Sequence, residues 1–119
     1  MKSVQRIFPL VICLLSGCFL FRSGHLEISA SIRTQYDEGI TLYNAAQYAE
    51  AEQRFRTILE TDPRAILVKY HLGLSLYRQQ KLSDAQGQFQ QIIGLGRSLP
   101  YGYHGFGLVA LQRKNRRFE

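Results

Sequence analysis

The stretch that decides the fold is Tyr36-Asp37-Glu38-Gly39-Ile40-Thr41-Leu42-Tyr43, continued by Ala51-Glu52-Gln53-Arg54-Phe55-Arg56-Thr57-Ile58. It returns 34 residues later as Tyr70-His71-Leu72-Gly73-Leu74-Ser75-Leu76-Tyr77 and Ala85-Gln86-Gly87-Gln88-Phe89-Gln90-Gln91-Ile92. Laid over 66–99, the segment 32–65 has eight identities: Ile32, Tyr36, Gly39, Leu42, Tyr43, Ala51, Phe55 and Ile58. Average composition would give roughly two by chance. A third register begins at Gly107 and Leu108, which fall 34 residues beyond Gly73 and Leu74.

A glycine in the first half of each unit, then Ala-x-x-x-Phe, then Pro63, resembles the tetratricopeptide repeat. The resemblance implies an all-α solenoid of helix-turn-helix pairs. In it, Gly39, Gly73 and Gly107 lie where the first helix of each pair crosses the second. Ala51 and Ala85 allow the same close approach from the other side, and Phe55 and Phe89 fill the space between pairs.

Helices are expected at about 32–45, 48–60, 66–79, 82–94 and 100–113. Ser83-Asp84-Ala85-Gln86 reads as a capping box opening the fourth. Asp62-Pro63 closes the first pair, and Gly94-Leu95-Gly96 the second. The family's early aromatic is replaced by Gln35, Lys69 and then Tyr103, its leucine before Gly39 by Glu38, and a second Pro63 by Arg97. Gly87 inside a helix costs about 1 kcal/mol relative to alanine. The third unit reaches Glu119 where its second helix would begin, which leaves one apolar face of helix 100–113 without a partner in this sequence. Either the array continues, or that face meets something else, such as a second copy.

The first residues have a different character. Lys2 and Arg6 precede an apolar run from Ile7 to Leu15 and the small residues Ser16 and Gly17, the order of a secretory signal. Even extended through Phe21 the run is 15 residues, against roughly 20 for a transmembrane helix. Leu15-Ser16-Gly17-Cys18 resembles the bacterial lipobox, in which cleavage precedes the cysteine and its thiol takes a diacylglyceryl group. The domains are then a leader over 1–17, the lipidated Cys18 and a linker to 31, repeats over 32–65 and 66–99, and a partial third repeat over 100–119. The alternatives are an ordinary secretory peptide or an uncleaved signal anchor.

Composition narrows the function. At 119 residues, 45% apolar, the chain has material for one modest core. Net charge is +6, but it gathers at Lys2 and Arg6 and at Arg113, Lys114, Arg116 and Arg117, leaving the middle nearly balanced. That terminal run reads as a solvated helix end. Its alternative, a nucleic-acid contact, is disfavoured because no aromatics interleave it. Cys13 and Cys18 both fall in the leader, and His25, His71 and His104 have no ligand-spaced neighbours, so no metal site is expected. His71 is expected to face solvent, and the Glu50–Arg54 and Glu52–Arg56 spacings read as surface pairs. No phosphate loop, metalloprotease helix or nucleophile elbow is present, and no catalytic residue or cofactor is expected.

The remaining signal is a row of aromatics. Tyr36, Ile40 and Tyr43 are spaced i, i+4, i+7, the next unit repeats them as Tyr70, Leu74 and Tyr77, and Tyr101 and His104 continue the row. In tetratricopeptide proteins the equivalent positions line the concave groove, so the resemblance implies a site for a partner peptide or helix. Asn44 and Arg78 would add polar contacts. The expectation is a membrane-tethered, non-enzymatic scaffold binding other proteins of the bacterial cell envelope. A non-lipidated adaptor is the alternative, and the tyrosines packing between helices is the plainer reading of the row.

Overall fold

Leu42 through Ala51 and Leu76 through Ala85 fold identically, and these two turns set the architecture. In the first, Gln47 N–H donates to Leu42 O (2.9 Å), Ala46 N–H to Tyr43 O (3.0 Å) and Ala51 N–H to Gln47 O (2.9 Å). In the second, Lys81 donates to Leu76, Gln80 to Tyr77 and Ala85 to Lys81, each at 3.0 Å. This is a Schellman ending, which satisfies the last carbonyls of one helix and reverses the chain into the next. Ala46 and Gln80 sit at its left-handed position with φ of 61° and 64°. Both lack the glycine that normally marks such a turn.

The computed structural model describes residues 24–96 and 99–119. The leader, Cys13, Cys18 and Arg97 lie outside the described residues. Five helices follow in order: α1 (Ala30–Asn44), α2 (Tyr48–Thr61), α3 (Ile66–Arg78), α4 (Leu82–Gly94) and α5 (Leu99–Phe118). Each packs against the next, and α3 also touches α1 and α5. The result is an all-α, repeat-like stack of hairpins in which first helices neighbour first helices. Expected and observed helices agree to within two residues except at the last, which runs five residues further.

Core positions recur with the repeat. Ala51, Phe55 and Ile58 on α2 are fully buried, as are Ala85, Phe89 and Ile92 on α4. A Cβ placed on Gly39 would lie 2.5 Å from the Phe55 ring, and one on Gly73 would lie 2.5 Å from the Phe89 ring. The expectation that these glycines permit helix crossing therefore holds at two positions. It fails at Gly107, which is exposed with open space where its Cβ would be. On α5 the close approaches are made by Gly105, against the Phe89 ring, and Gly102, against Ile93 and the α4 backbone. Helix α5 meets α4 through the side that carries Gly102 and Gly105, and Gly107 lies on the other side.

Three further expectations change. The capping box does not form: α4 begins at Leu82, and no side chain caps it. The turn's own Lys81 carbonyl takes the Ala85 amide, leaving Ser83 inside the first helical turn. The Glu52–Arg56 pair forms (2.9 Å), but Glu52 is buried and not at the surface: it is 9% exposed and also bonds Lys81 (2.9 Å) and Gln79 (2.8 Å), joining α2 to the following turn. Arg54 turns instead to Glu38 of α1, at 3.4 Å.

The linker is likewise not free over residues 24–29. His25 forms a parallel bridge to Ala65: its N–H donates to Arg64 O (3.1 Å), and its carbonyl accepts from Ile66 N–H (2.9 Å). His25 Nε2 contacts Asp62 Oδ1 at 2.9 Å. Gly24 lies so close to the Ile66 and Leu95 side chains that a Cβ would reach 2.6 Å from Ile66 Cδ1. Ile28, 6% exposed, joins the core. The strap thus docks across the α2–α3 junction before α1 starts.

Candidate functional site: the aromatic face of the first helices

The face shared by α1, α3 and α5 carries the predicted row, and its tyrosines are wired from each unit to the next. Tyr36 Oη lies 3.1 Å from His71 Nδ1, and Tyr70 Oη lies 2.8 Å from His104 Nδ1. Tyr77 Oη donates to Gln112 Oε1 at 3.4 Å. All three bonds span 34 or 35 residues, so each tyrosine reaches across to the next first helix about one repeat on. The Arg78 guanidinium bonds Tyr43, which holds its pKa above the ordinary arginine value, and sits 5.8 Å from the Tyr48 ring centroid.

The rings are contiguous. Tyr70 stacks edge-on to Tyr101 (5.1 Å between centroids) and to His71 (5.4 Å), and His71 meets Tyr36 (5.6 Å) and Tyr43 (6.4 Å) in the same manner. Tyr43 stands edge-on to Tyr48 at 5.3 Å. Such edge contacts are the favoured arrangement of ring quadrupoles. Tyr36 is buried. Ile40, Tyr43, Tyr70, Leu74, Tyr77 and Tyr101 are half-buried, and Asn44, Arg78 and His104 are exposed. The row therefore presents ring edges and a polar fringe, while part of each tyrosine serves the packing between units.

His71 is the residue that sequence reasoning misplaced. It is half-buried at the centre of the row, with Nδ1 placed to donate to Leu67 O (2.9 Å) in one tautomer or to accept from Tyr36 Oη (3.1 Å) in the other. Burial lowers its pKa below 6.5, although the Leu67 carbonyl works the other way. Its repeat counterpart Asp37 is exposed, so the repeat register alone predicts solvent exposure for His71. The available signal was its place four residues after Leu67 and beside Tyr70. Burial raises the Tyr36 and Tyr70 hydroxyls above 10.0, so both remain protonated donors at neutral pH.

The row is a surface and not a pocket. An open depression lined by Thr34, Asp37, Glu38, Thr41, Leu42 and Arg54 lies off it, between α1 and α2. Among the described residues no group of three histidines, cysteines or carboxylates converges as a metal site would require. No described helix is long and apolar enough to cross a membrane. Compared with known proteins, the chain matches no family model, no curated protein and no solved structure.

Proposed function

We propose that this chain is a tetratricopeptide-type scaffold: a binding module, not an enzyme, that receives a partner peptide or helix on the aromatic face of its first helices. The reading extends to a bacterial envelope location, with the protein tethered through lipid on Cys18 and its partners among other envelope proteins. The observation that carries the binding proposal is the continuous row from Tyr48 through Tyr43, His71 and Tyr70 to Tyr101, half-exposed and fringed by Asn44, Arg78 and His104. Large rigid rings with a polar tip give contact area at low entropic cost, which is why they dominate protein interfaces. The repeated Gly39–Phe55 and Gly73–Phe89 crossings support the repeat assignment.

Capture from solubilised envelope fractions tests the binding. The full-length chain should retain partners that a Tyr43→Ala, Tyr77→Ala double variant loses, with helical content unchanged by circular dichroism; equal recovery removes the face from the proposal. The mass of the mature N-terminus tests the tether. A diacylated Cys18 is expected, and an unmodified start or an intact Met1 sinks it.

A further inference from the structure

The strap ahead of α1 is held by a ring that faces two acceptors. His25 Nδ1 lies 3.0 Å from the Glu27 carbonyl oxygen, and Nε2 lies 2.9 Å from Asp62 Oδ1. A carbonyl oxygen and an ionised carboxylate both accept and neither donates, so each ring nitrogen must carry a proton. Only the imidazolium meets both. A neutral imidazole keeps one N–H, which leaves a ring lone pair facing an oxygen lone pair at one of the two contacts.

What the ring holds is short. From Gly24 to Glu27 the strap makes a single parallel bridge, with His25 N–H on Arg64 O (3.1 Å) and Ile66 N–H on His25 O (2.9 Å). Leu26 is 44% exposed and Glu27 is exposed, so neither adds apolar hold. Beyond them the chain is anchored independently. Ile28 lies in the core, its carbonyl accepts from Arg33 Nη2 (3.3 Å), and Ser29 O accepts from Ile32 N–H (3.2 Å). A break therefore falls before Ile28 and leaves α1 intact. Beneath the strap, buried Ile66 and half-buried Leu95 close over Gly24, where a Cβ would lie 2.6 Å from Ile66 Cδ1 and 2.9 Å from Leu95 Cδ1.

We infer that His25 is a proton-operated latch: its imidazolium docks residues 24–27 on the α2–α3 turn, and loss of the proton peels them away with Ile28 as the hinge. The charged groups facing the ring are Asp62, which favours the cation, and Arg64, which opposes it, both on that turn. Helices α3 and α4 bring the apolar Ile66 and Leu95 to the strap, and the Arg33 guanidinium of α1 is turned to Ile28 O. Burial opposes the charge, but the bonds to Asp62 and Glu27 outweigh it and hold the pKa above 6.5. The latch is thus closed below 6.5 and opens as pH rises through the folded value. Release adds residues 24–27 to the connection before α1, about 13 Å of reach at roughly 3.3 Å per residue. It also uncovers Ile66, Leu95 and the backbone edge at Arg64 O and Ile66 N–H. The latch depends neither on the aromatic face nor on lipid at Cys18.

Nitrogen-15 NMR of the full-length protein reads ring and backbone together. At pH 6 both ring nitrogens of His25 should carry protons, with the Ile66 amide protected and the Leu26 amide rigid. By pH 8.5 the ring should be neutral, Ile66 protection several-fold lower after correction for intrinsic exchange, and Leu26 mobile on the nanosecond scale, while protection in α1 does not fall. Asp62→Asn keeps an acceptor for the ring and removes the charge, so the transition should move to lower pH. His25→Ala, at a side chain 42% exposed, should leave the helices folded and Ile66 protection low and independent of pH. A neutral ring at pH 6 with Ile66 still protected, equal protection at the two pH values, a transition that survives His25→Ala, or a loss shared by every helix overturns the latch.

Discussion

The junction between the first hairpin and α3 and the junction between the second hairpin and α5 occupy the same repeat positions, yet they are built from different chemistry. At the first, Phe55 rests between Gly39 and the His71 ring, Tyr36 bonds His71, and buried Glu52 gathers Arg56, Gln79 and Lys81. At the second, Gly105 stands where His71 stood and Gln86 where Glu52 stood. The α5 backbone therefore comes directly onto Phe89, which is enclosed by Gly73 on one side and Gly105 on the other. The Tyr–Phe ring pairs are nevertheless superimposable, with centroids 6.2 Å apart in Tyr36–Phe55 and in Tyr70–Phe89. A repeat conserves where groups meet and leaves open whether ions and rings or close-packed backbone fill the meeting place.

The largest expected effect is at Phe89. Phe89→Ala should cost about 4–5 kcal/mol, because backbone on both sides cannot collapse into the space, whereas Phe55→Ala should cost nearer 3 as the His71 and Tyr36 rings lean in. Denaturant melts of the two variants measure the gap, and equal losses break the comparison. Next comes Gly105→Ala. Its methyl group meets the fully buried Phe89 ring, and overpacking of this kind costs about 1–3 kcal/mol. The same change at Gly107 should be neutral or stabilising. Glu52→Gln should cost about 1–2 kcal/mol at pH 7 by weakening charge-assisted bonds to Lys81 and Arg56, and little in acid. The smallest is Gly87→Ala on α4, where open space surrounds the added methyl; it should stabilise by about 1 kcal/mol or less.

Much of this architecture could be read from the chain because it repeats. Gly39, Gly73, Phe55 and Phe89 recur at a fixed spacing with one packing role, and that role appears in the contacts. Where the reading failed, a residue's role came from a neighbour distant in sequence. The repeat register aligns His71 with exposed Asp37, yet the surroundings of His71 are set by Tyr36 and Phe55 of the preceding hairpin. Gly107 was judged from Gly73, yet it lacks the neighbour that gives Gly73 its purpose. Glu52 showed its i+4 partner Arg56 but not Lys81, which lies 29 residues on. The left-handed turn residues Ala46 and Gln80 carry no sequence signal, because neither is the glycine that left-handed backbone normally selects.

The two junctions also differ in their response to acid. Burial depresses the His71 pKa below 6.5, so its neutral form stabilises the fold fully above that value, and the contribution is lost as pH falls through the folded pKa. For Glu52, burial opposes ionisation, but bonds from Lys81, Gln79 and Arg56 prevail and hold its pKa below 4.5, so its contribution is likewise lost in acid. His25 runs the other way. Burial opposes its charge, yet the Asp62 bond raises its pKa above 6.5, so the strap's contribution is complete below 6.5 and fades as pH rises through the folded value.

Amide hydrogen exchange, followed residue by residue from about pH 7.5 to 4 and corrected for intrinsic rates, tests the contrast most directly. Protection in α1 and α2 should fall on acidification while that of α4 and the buried side of α5 holds, and the Ile66 amide that donates to His25 O should be better protected near pH 6 than near pH 8. Uniform loss across both junctions, or none at either, would contradict the division of this fold into a junction centred on buried His71 and Glu52 and one centred on close-packed backbone against Phe89.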